Sequence, residues 1–394
     1  MQHRIIVLGA GYTGAIAAGR LARRVRREDV AITLVNAEPD FVERVRMHQV
    51  ASGQNLKPLP FREMFAGTGV EVKVARVTGI DVDRKTVSVL GKDQGEERIE
   101  YDTLVYALGS GWNPGGVPGV VEHAHQLASR PGALRLRDRL GSLGAGQAVV
   151  VVGGGLTGIE AATELAEAYP RLDFAIVVRD ELGDWLSPKG RAHLRKVVGN
   201  SRITVYEHRE VTEVGADRVG TADGASIPAA VTVWTAGFAV HPLAGTTALK
   251  LAGTGQIVVD GTMRSVSHPD VYAIGDAAWA IGAGNKPLRM SCASGTPAAW
   301  QAADAIAARL TGGTMPNAPL RYFNQCISLG RKEGLIQFVT ADDRAVPAVL
   351  TGRLAAIYKE LVCKGAVWGV VHPLLGLPVR RRPAVPEKAV TPAA

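Results

Sequence analysis

Cysteine is scarce: Cys292, Cys326 and Cys363 are the only three, they stand far apart, and none belongs to a CxxC pair. This excludes a disulfide scaffold and a short-spaced zinc site, and no metal is expected. No stretch reaches the roughly 18 uninterrupted apolar residues that a spanning helix needs. The chain enters its first apolar run directly after Met1-Gln2-His3-Arg4, which leaves no room for a signal peptide, so the cytoplasm or a membrane's cytoplasmic face is expected. Acidic residues are in the minority, 37 against 45 Lys and Arg, for a net charge of +8. No nucleic-acid-binding motif accompanies that excess, which argues against such a partner. Arg23, Arg24, Arg26 and Arg27 close a helical stretch, where cations favour the macrodipole and read as a solvated helix end. Arg380-Arg381-Arg382 follows an apolar segment and is the better candidate for an anionic lipid or a partner.

What the chain has is glycine in one arrangement, used twice. Gly9-Ala10-Gly11-Tyr12-Thr13-Gly14 follows the β-branched run Ile5 to Leu8, and Gly153-Gly154-Gly155-Leu156-Thr157-Gly158 follows Val149 to Val152. An alanine-rich helical stretch comes after each. In such a turn Gly9 or Gly153 permits the tight bend and Gly11 or Gly155 lets the backbone approach a pyrophosphate. Gly14 or Gly158 lets helix pack on strand, which leaves the anion at a helix N-terminus. A single copy is weak evidence, but two copies in matched contexts point to two dinucleotides held at once.

With 394 residues and 46% hydrophobic content, two or three domains are expected. Strand, glycine turn, helix and strand run from Ile5 to Val35 and again from Val149 to Val178. Val70 to Val74 and Thr86 to Val89 read as strands about a turn at Asp83-Arg84-Lys85. Buried strands then end at Gly109, at Gly237 and at Gly275-Asp276. This order predicts an α/β fold of two Rossmann-like domains, with residues 113–239 inserted into a domain made of 1–112 and 240–315, and a C-terminal region, 316–394. In that region Leu354, Ile357, Tyr358, Leu361 and Val362 form the stripe of an amphipathic helix. Beyond it, Trp368, Val370, Val371, Leu374 and Leu375 form an apolar stretch, interrupted by Gly and Pro, that suits membrane docking, core packing or a homodimer interface. The last dozen residues read as loose.

Two fingerprints and three strand ends in this order resemble the two-dinucleotide-binding flavoprotein superfamily, and within it type II NADH dehydrogenases. Met47-His48-Gln49-Val50-Ala51-Ser52-Gly53 is similar to the Tyr-Gln-Val-Ala-Thr-Gly segment of those enzymes, and Pro60-Phe61-Arg62 follows it as their basic stretch does. The resemblance implies FAD on Gly9, Gly11 and Gly14, NAD(P)H on Gly153, Gly155 and Gly158, and a hydrogen bond from the flavin's ribityl chain to Asp276. It also implies Glu160 near nicotinamide and flavin. From chemistry alone, Asp276 could instead cap a following helix, and Glu160 could serve the helix dipole in a first turn.

The departures from the pattern bear on specificity. The position after the second strand, normally an acid that accepts ribose hydroxyls, is Asn36 in the first unit and Arg179 in the second. Asn36 can still hydrogen-bond ribose, with Glu38 close by. Arg179 suits a 2′-phosphate and predicts that NADPH is accepted at least as well as NADH, unless Arg179 faces solvent and Asp180 takes the ribose. The family's acceptor is a quinone. In Gly295-Thr296-Pro297-Ala298-Ala299-Trp300-Gln301, however, only Gln301 remains of the family's glutamine pattern, which leaves ferredoxin, dyes or oxygen open. Trp300 reads as a flavin cover or, more commonly, a core residue. A ferredoxin reductase and a slow flavin redox sensor similar to apoptosis-inducing-factor relatives stand as alternatives. A sulfide:quinone oxidoreductase would need two of the cysteines to meet beside the flavin.

Overall fold

The computed structural model describes residues 2–92, 95–316, 318–374 and 381–385. The first apolar run is strand β1 (His3–Leu8), followed by helix α1 (Tyr12–Arg24), β2 (Val30–Asn36), a short helix α2 (Met47–Ala51), β3 (Val70–Asp81), β4 (Thr86–Gly91), β5 (Glu96–Glu100) and β6 (Thr103–Tyr106). β1 lies parallel between β2 and β6, and β2 is parallel to β3. Ile5 to Leu8 are buried on both faces, as central parallel strands are when helices cover the sheet. β3, β4 and β5 then form an antiparallel meander, where the Asp81 carboxylate accepts the Arg84 backbone N–H to close the first turn.

The second apolar run starts a separate sheet. β7 (Ala124–Gln126), β8 (Ala148–Val152), helix α3 (Leu156–Ala168), β9 (Asp173–Val177), β10 (Thr204–Tyr206) and β11 (Val231–Trp234) give a five-stranded parallel sheet in the order β10-β9-β8-β11-β7. Strand β12 (Val271–Ala273) then returns to the first sheet and lies beside β6, completing the order β12-β6-β1-β2-β3-β4-β5. Leaving the first sheet, the chain forms Ser110–Trp112, which pairs antiparallel with Phe238–Val240 on the way back. The fold is therefore α/β, with one Rossmann-like unit threaded into another. Helix α4 (Cys292–Thr311), whose Ala298, Ala299, Ala302 and Ala303 are buried, packs along α1.

Two antiparallel pieces escaped the sequence reading: a three-stranded meander within 211–228, and β13 (Asn324–Ser328), β14 (Gly334–Val339) and β15 (Ala345–Thr351). The strands within 211–228 are only three or four residues long and β15 is interrupted by Pro347, so period-two alternation barely registers. Helix α5 (Gly352–Val371) follows as one continuous helix, so Trp368 to Val371 are its last turn rather than a separate stretch. No helix among the described residues is long and apolar enough to cross a membrane.

The stripe on α5 faces the opposite way from a core-packing amphipathic helix. Leu354, Leu361 and Trp368 are 67%, 63% and 52% exposed, while Ala355, Cys363 and Val370 face inward. The cause is close approach: a Cβ on Gly334 of β14 would lie 2.7 Å from the Ala356 nitrogen, so only small side chains fit between strand and helix. Leu374 is also exposed, whereas Leu375, Arg380 and most of the final dozen residues lie outside the described residues. Arg382 bridges Val25 at the end of α1, which brings the two arginine groups together. Ala355→Leu is expected to cost about 1–3 kcal/mol in urea unfolding, whereas Leu361→Ala stays within about 0.5 kcal/mol; equal losses would contradict this packing.

Candidate functional site

Both glycine turns have the same internal geometry. Gly9 and Gly153 sit at φ +90° and +121°, which disfavours any side chain there. A Cβ on Gly14 would lie 1.8 Å from the Gly9 carbonyl oxygen, and one on Gly158 would lie 1.9 Å from that of Gly153. The outer glycines are thus required by the protein's own backbone. The middle ones are not: a Cβ on Gly11 or Gly155 meets nothing within 4 Å. Gly11 and Gly155 are also the N-caps of α1 and α3, and no side chain caps either helix. Each helix presents its first-turn N–H groups, with their partial positive charge, to open space over a glycine, which fits a diphosphate.

Around the first turn, three segments converge on Thr13. Cβ atoms on Gly275 and Gly295 would come within 2.9 Å and 2.7 Å of its side chain, placing the Gly-Asp strand end and the start of α4 against the fingerprint. Asp276 lies in a short turn, Gly275–Ala277, without a capping bond, and α4 is capped instead by Ser291. The capping alternative for Asp276 therefore fails. Its carboxylate accepts from the Ser110 hydroxyl at 2.6 Å, and its main chain is held by Gln256, so the side chain is fixed with acceptor capacity to spare. Asn36 accepts the Ala10 backbone N–H at 2.9 Å and donates to the Glu38 carbonyl, so it shapes the turn as well as bordering it. Gly109 and Gly237 turn their strand ends with positive φ.

Glu160 is not in the first turn of α3, so helix-start stabilisation does not explain it. Its side chain is buried and accepts the Ser328 backbone N–H at 3.0 Å, and the Lys359 Nζ of α5 lies 2.9 Å from the same oxygen. The other carboxylate oxygen lies 4.0 Å from Nδ1 of His48, on α2. Burial works to raise the Glu160 carboxyl, but the Lys359 ammonium, His48 and the Ser328 N–H together outweigh it and hold the group below its ordinary range. Burial likewise opposes the charge of Lys359, and Glu160 together with Cys363 and Cys326 more than restores it. Buried Arg46, just before α2, reaches Glu360 of α5 at 2.9 Å, so one ion pair seats α5 against the α2 segment and another, Lys359–Glu160, seats it against α3. Glu164, one turn beyond Glu160, accepts from Gln54 at 2.9 Å and is pushed up to about 7, chiefly by burial.

The remaining expectations fall elsewhere. Gln301 is buried and donates to the Gly261 carbonyl, and no hydrogen bond or ion pair among the described residues joins it to Glu160. Trp300 is neither a core residue nor enclosed: it is half exposed, with the Arg20 guanidinium 5.7 Å from its ring centroid. Arg179 is exposed, 3.5 Å from an exposed Asp180. The cysteines are free, and all three feel the Lys359 charge; burial pushes the Cys292 and Cys326 thiols up to about 11. Lys359 and the role of His48 were missed. Lys359 follows a stripe residue and reads as solvated until the inversion of α5 is known, and only the structure leaves the buried Nε2 of His48 without a partner among the described residues.

The two kinds of glycine should separate on substitution. Gly158→Ala is expected to lose about 2–4 kcal/mol of stability, while Gly155→Ala stays within about 1 kcal/mol yet binds NAD(P)H at least about tenfold more weakly in equilibrium titration. Unchanged NAD(P)H affinity in a folded Gly155→Ala protein would contradict the reading of that open space.

Comparison with known proteins places the chain among related sequences and folds. The chain is 26% identical over 373 residues to the demethylphylloquinone reductase NdbB of Synechocystis, covering 90% of this chain and 92% of that one. It is 26% identical over 323 residues to the type II NADH:quinone oxidoreductase NdhA of Mycobacterium tuberculosis, covering 70% and 66%. The structure of NDH2 from Plasmodium falciparum in complex with NADH superposes with a TM-score of 0.79 at 14% identity, over 95% of this chain and 97% of that chain. The pyridine nucleotide-disulphide oxidoreductase family model matches residues 3–307, and the chain belongs to that family.

Proposed function

We propose that this oxidoreductase holds FAD on the first glycine turn, takes a hydride from NAD(P)H bound on the second, and passes the electrons to a quinone. The observation that carries this is the pair of uncapped helix N-termini, each over a glycine with open space above it. In this reading 1–112 with 240–315 is the flavin domain, 113–239 the nicotinamide domain and 316–394 the C-terminal domain. Gly9, Gly11, Gly14, Asn36, Gly109, Gly275 and Asp276 face the flavin, with Asp276 toward its ribityl hydroxyls; Gly153, Gly155, Gly158 and Gly237 face the nicotinamide nucleotide. Bound there, the flavin supplies the two-electron acceptor and donor. The chain's own part is to align the rings, exclude water and hold the charges of Glu160 and Lys359 beside them.

A quinone is supported by the names of the two relatives, one a phylloquinone-type reductase and one a NADH:quinone oxidoreductase. The thiols argue against a sulfide donor: groups pushed up to about 11 stay protonated at neutral pH and make poor nucleophiles toward a sulfur substrate. The exposed apolar face of α5, with Leu354, Ile357, Leu361 and Trp368, provides a surface by which the protein would rest on a membrane, where quinones dissolve. Arg179, exposed two residues beyond the end of β9 and beside Asp180, favours NADPH as a substrate alongside NADH.

Anaerobic titration tests the whole scheme. Yellow protein should bleach on addition of NAD(P)H and recover on addition of a short-chain quinone. Arg179→Ala should weaken kcat/KM for NADPH about tenfold more than for NADH. Failure of every quinone to restore the colour would overturn the acceptor assignment, and an unaltered cofactor ratio in Arg179→Ala would overturn the NADPH assignment.

A further inference from the structure

Beside α2 the two Rossmann-like units leave a cavity that the redox scheme does not use. It measures about 220 Å³ and lies between segment 41–57 of the first unit and the helix Arg130–Gly141 of the inserted one. Phe41, Met47, Val50, Leu56 and Leu134 give it apolar walls. Met47 and Val50 are core residues, and Leu56 and Leu134 pack against the same core. An apolar cavity of about 150 Å³ accepts a benzene ring, so this one has room for a body of one or two fused rings. The exposed part of the lining is cationic. Lys57 comes from the first unit and Arg130 from the inserted one, and neither makes a hydrogen bond or ion pair among the described residues. Arg130 is the first residue of its helix, where the dipole disfavours a cation, so helix stability does not account for it. The carboxylate on the lining, Glu43, is taken up by Arg46 at 3.1 Å. Asn55 accepts from Arg137 at 3.4 Å through its side-chain oxygen, which leaves its amide N–H groups to donate.

We propose that this cavity is a binding site for a small aromatic carboxylate. The ring enters among Phe41, Met47 and Leu134, where an aromatic edge and a thioether favour a flat π body over an aliphatic chain. The carboxylate stays at the solvent end, between Lys57 and Arg130, with Asn55 as a neutral donor. Two cations with no carboxylate of their own match one bound anion, and their separation across two units gives the ligand a consequence. An occupied cavity ties segment 41–57 to the inserted unit. It also touches Phe41, whose ring meets that of Tyr12, the residue after Gly11, edge to face at 4.9 Å. The site shares no residue with either glycine turn, so its ligand competes with neither a dinucleotide nor the electron acceptor.

The probe is 2-naphthoate, titrated calorimetrically into the full chain after incubation with FAD. It should bind with a Kd below about 1 mM, and saturating NADH or a short-chain quinone should leave that value within about threefold. The alcohol 2-naphthalenemethanol keeps the rings and lacks the charge, and should bind at least about tenfold more weakly. Lys57→Ala and Arg130→Ala should each weaken 2-naphthoate about threefold, and the double variant at least about tenfold. Leu134→Trp fills the cavity from the helix side and should weaken both the acid and the alcohol at least about tenfold. If Leu134→Trp does not fold, the double charge variant decides. Equal affinity for acid and alcohol, wild-type affinity in the double variant or in folded Leu134→Trp, displacement by NADH or quinone, or no binding at about 1 mM overturns the proposal.

Discussion

The architecture depends on a helix N-terminus that the protein does not cap. An α-helix begins with N–H groups that have no intrahelical partner, and most proteins satisfy them with Ser, Thr, Asp or Asn side chains. This chain does so at Ser129, Ser187 and Ser291. At α1 and α3 it places glycine instead, each time after a buried parallel strand and each time with open space where a side chain would be. The outer glycines of each turn serve the fold, and the central one leaves its space open. This division sets the rest: the strands must end together, the helices must start there, and the Gly-Asp segment must return from beyond the inserted unit to lie against Thr13.

A second layer ties the parts to one another through charge. Glu160 belongs to the inserted unit, His48 to the first unit and Lys359 to the C-terminal helix, and they meet in the interior. Buried ion pairs are weak contributors to stability, because desolvation offsets most of their attraction, but breaking one leaves a costly orphan charge. The arrangement therefore fixes relative position more than it adds stability. The inward face of α5 is built from small residues for the same purpose, bringing Lys359 close enough to reach Glu160.

Much of this was legible in the sequence, for identifiable reasons. The glycine turns and the buried strands are local patterns whose meaning depends on backbone geometry and on burial of both faces, so Ile5 to Leu8 and Val149 to Val152 announce themselves. The insertion followed from the order of strand ends. Less legible was anything that depends on which way a face points. The Leu354 to Val362 stripe has helical spacing, but spacing alone does not say whether the stripe faces core or solvent; Gly334 on a neighbouring strand decides that. Glu160 was singled out, yet the dipole argument for it was wrong, because its partners Lys359 and His48 come from distant segments. Gln301 was singled out by similarity of sequence and instead holds Gly261. Trp300, expected in a core or over a flavin, lies on the surface beside Arg20.

The most direct measurement of the central claim is the visible absorption spectrum of the purified protein, before and after heat denaturation, following incubation with FAD and gel filtration. The account predicts a stoichiometric, non-covalent flavin that is released on unfolding. Protein that stays colourless after that treatment while remaining folded would contradict it.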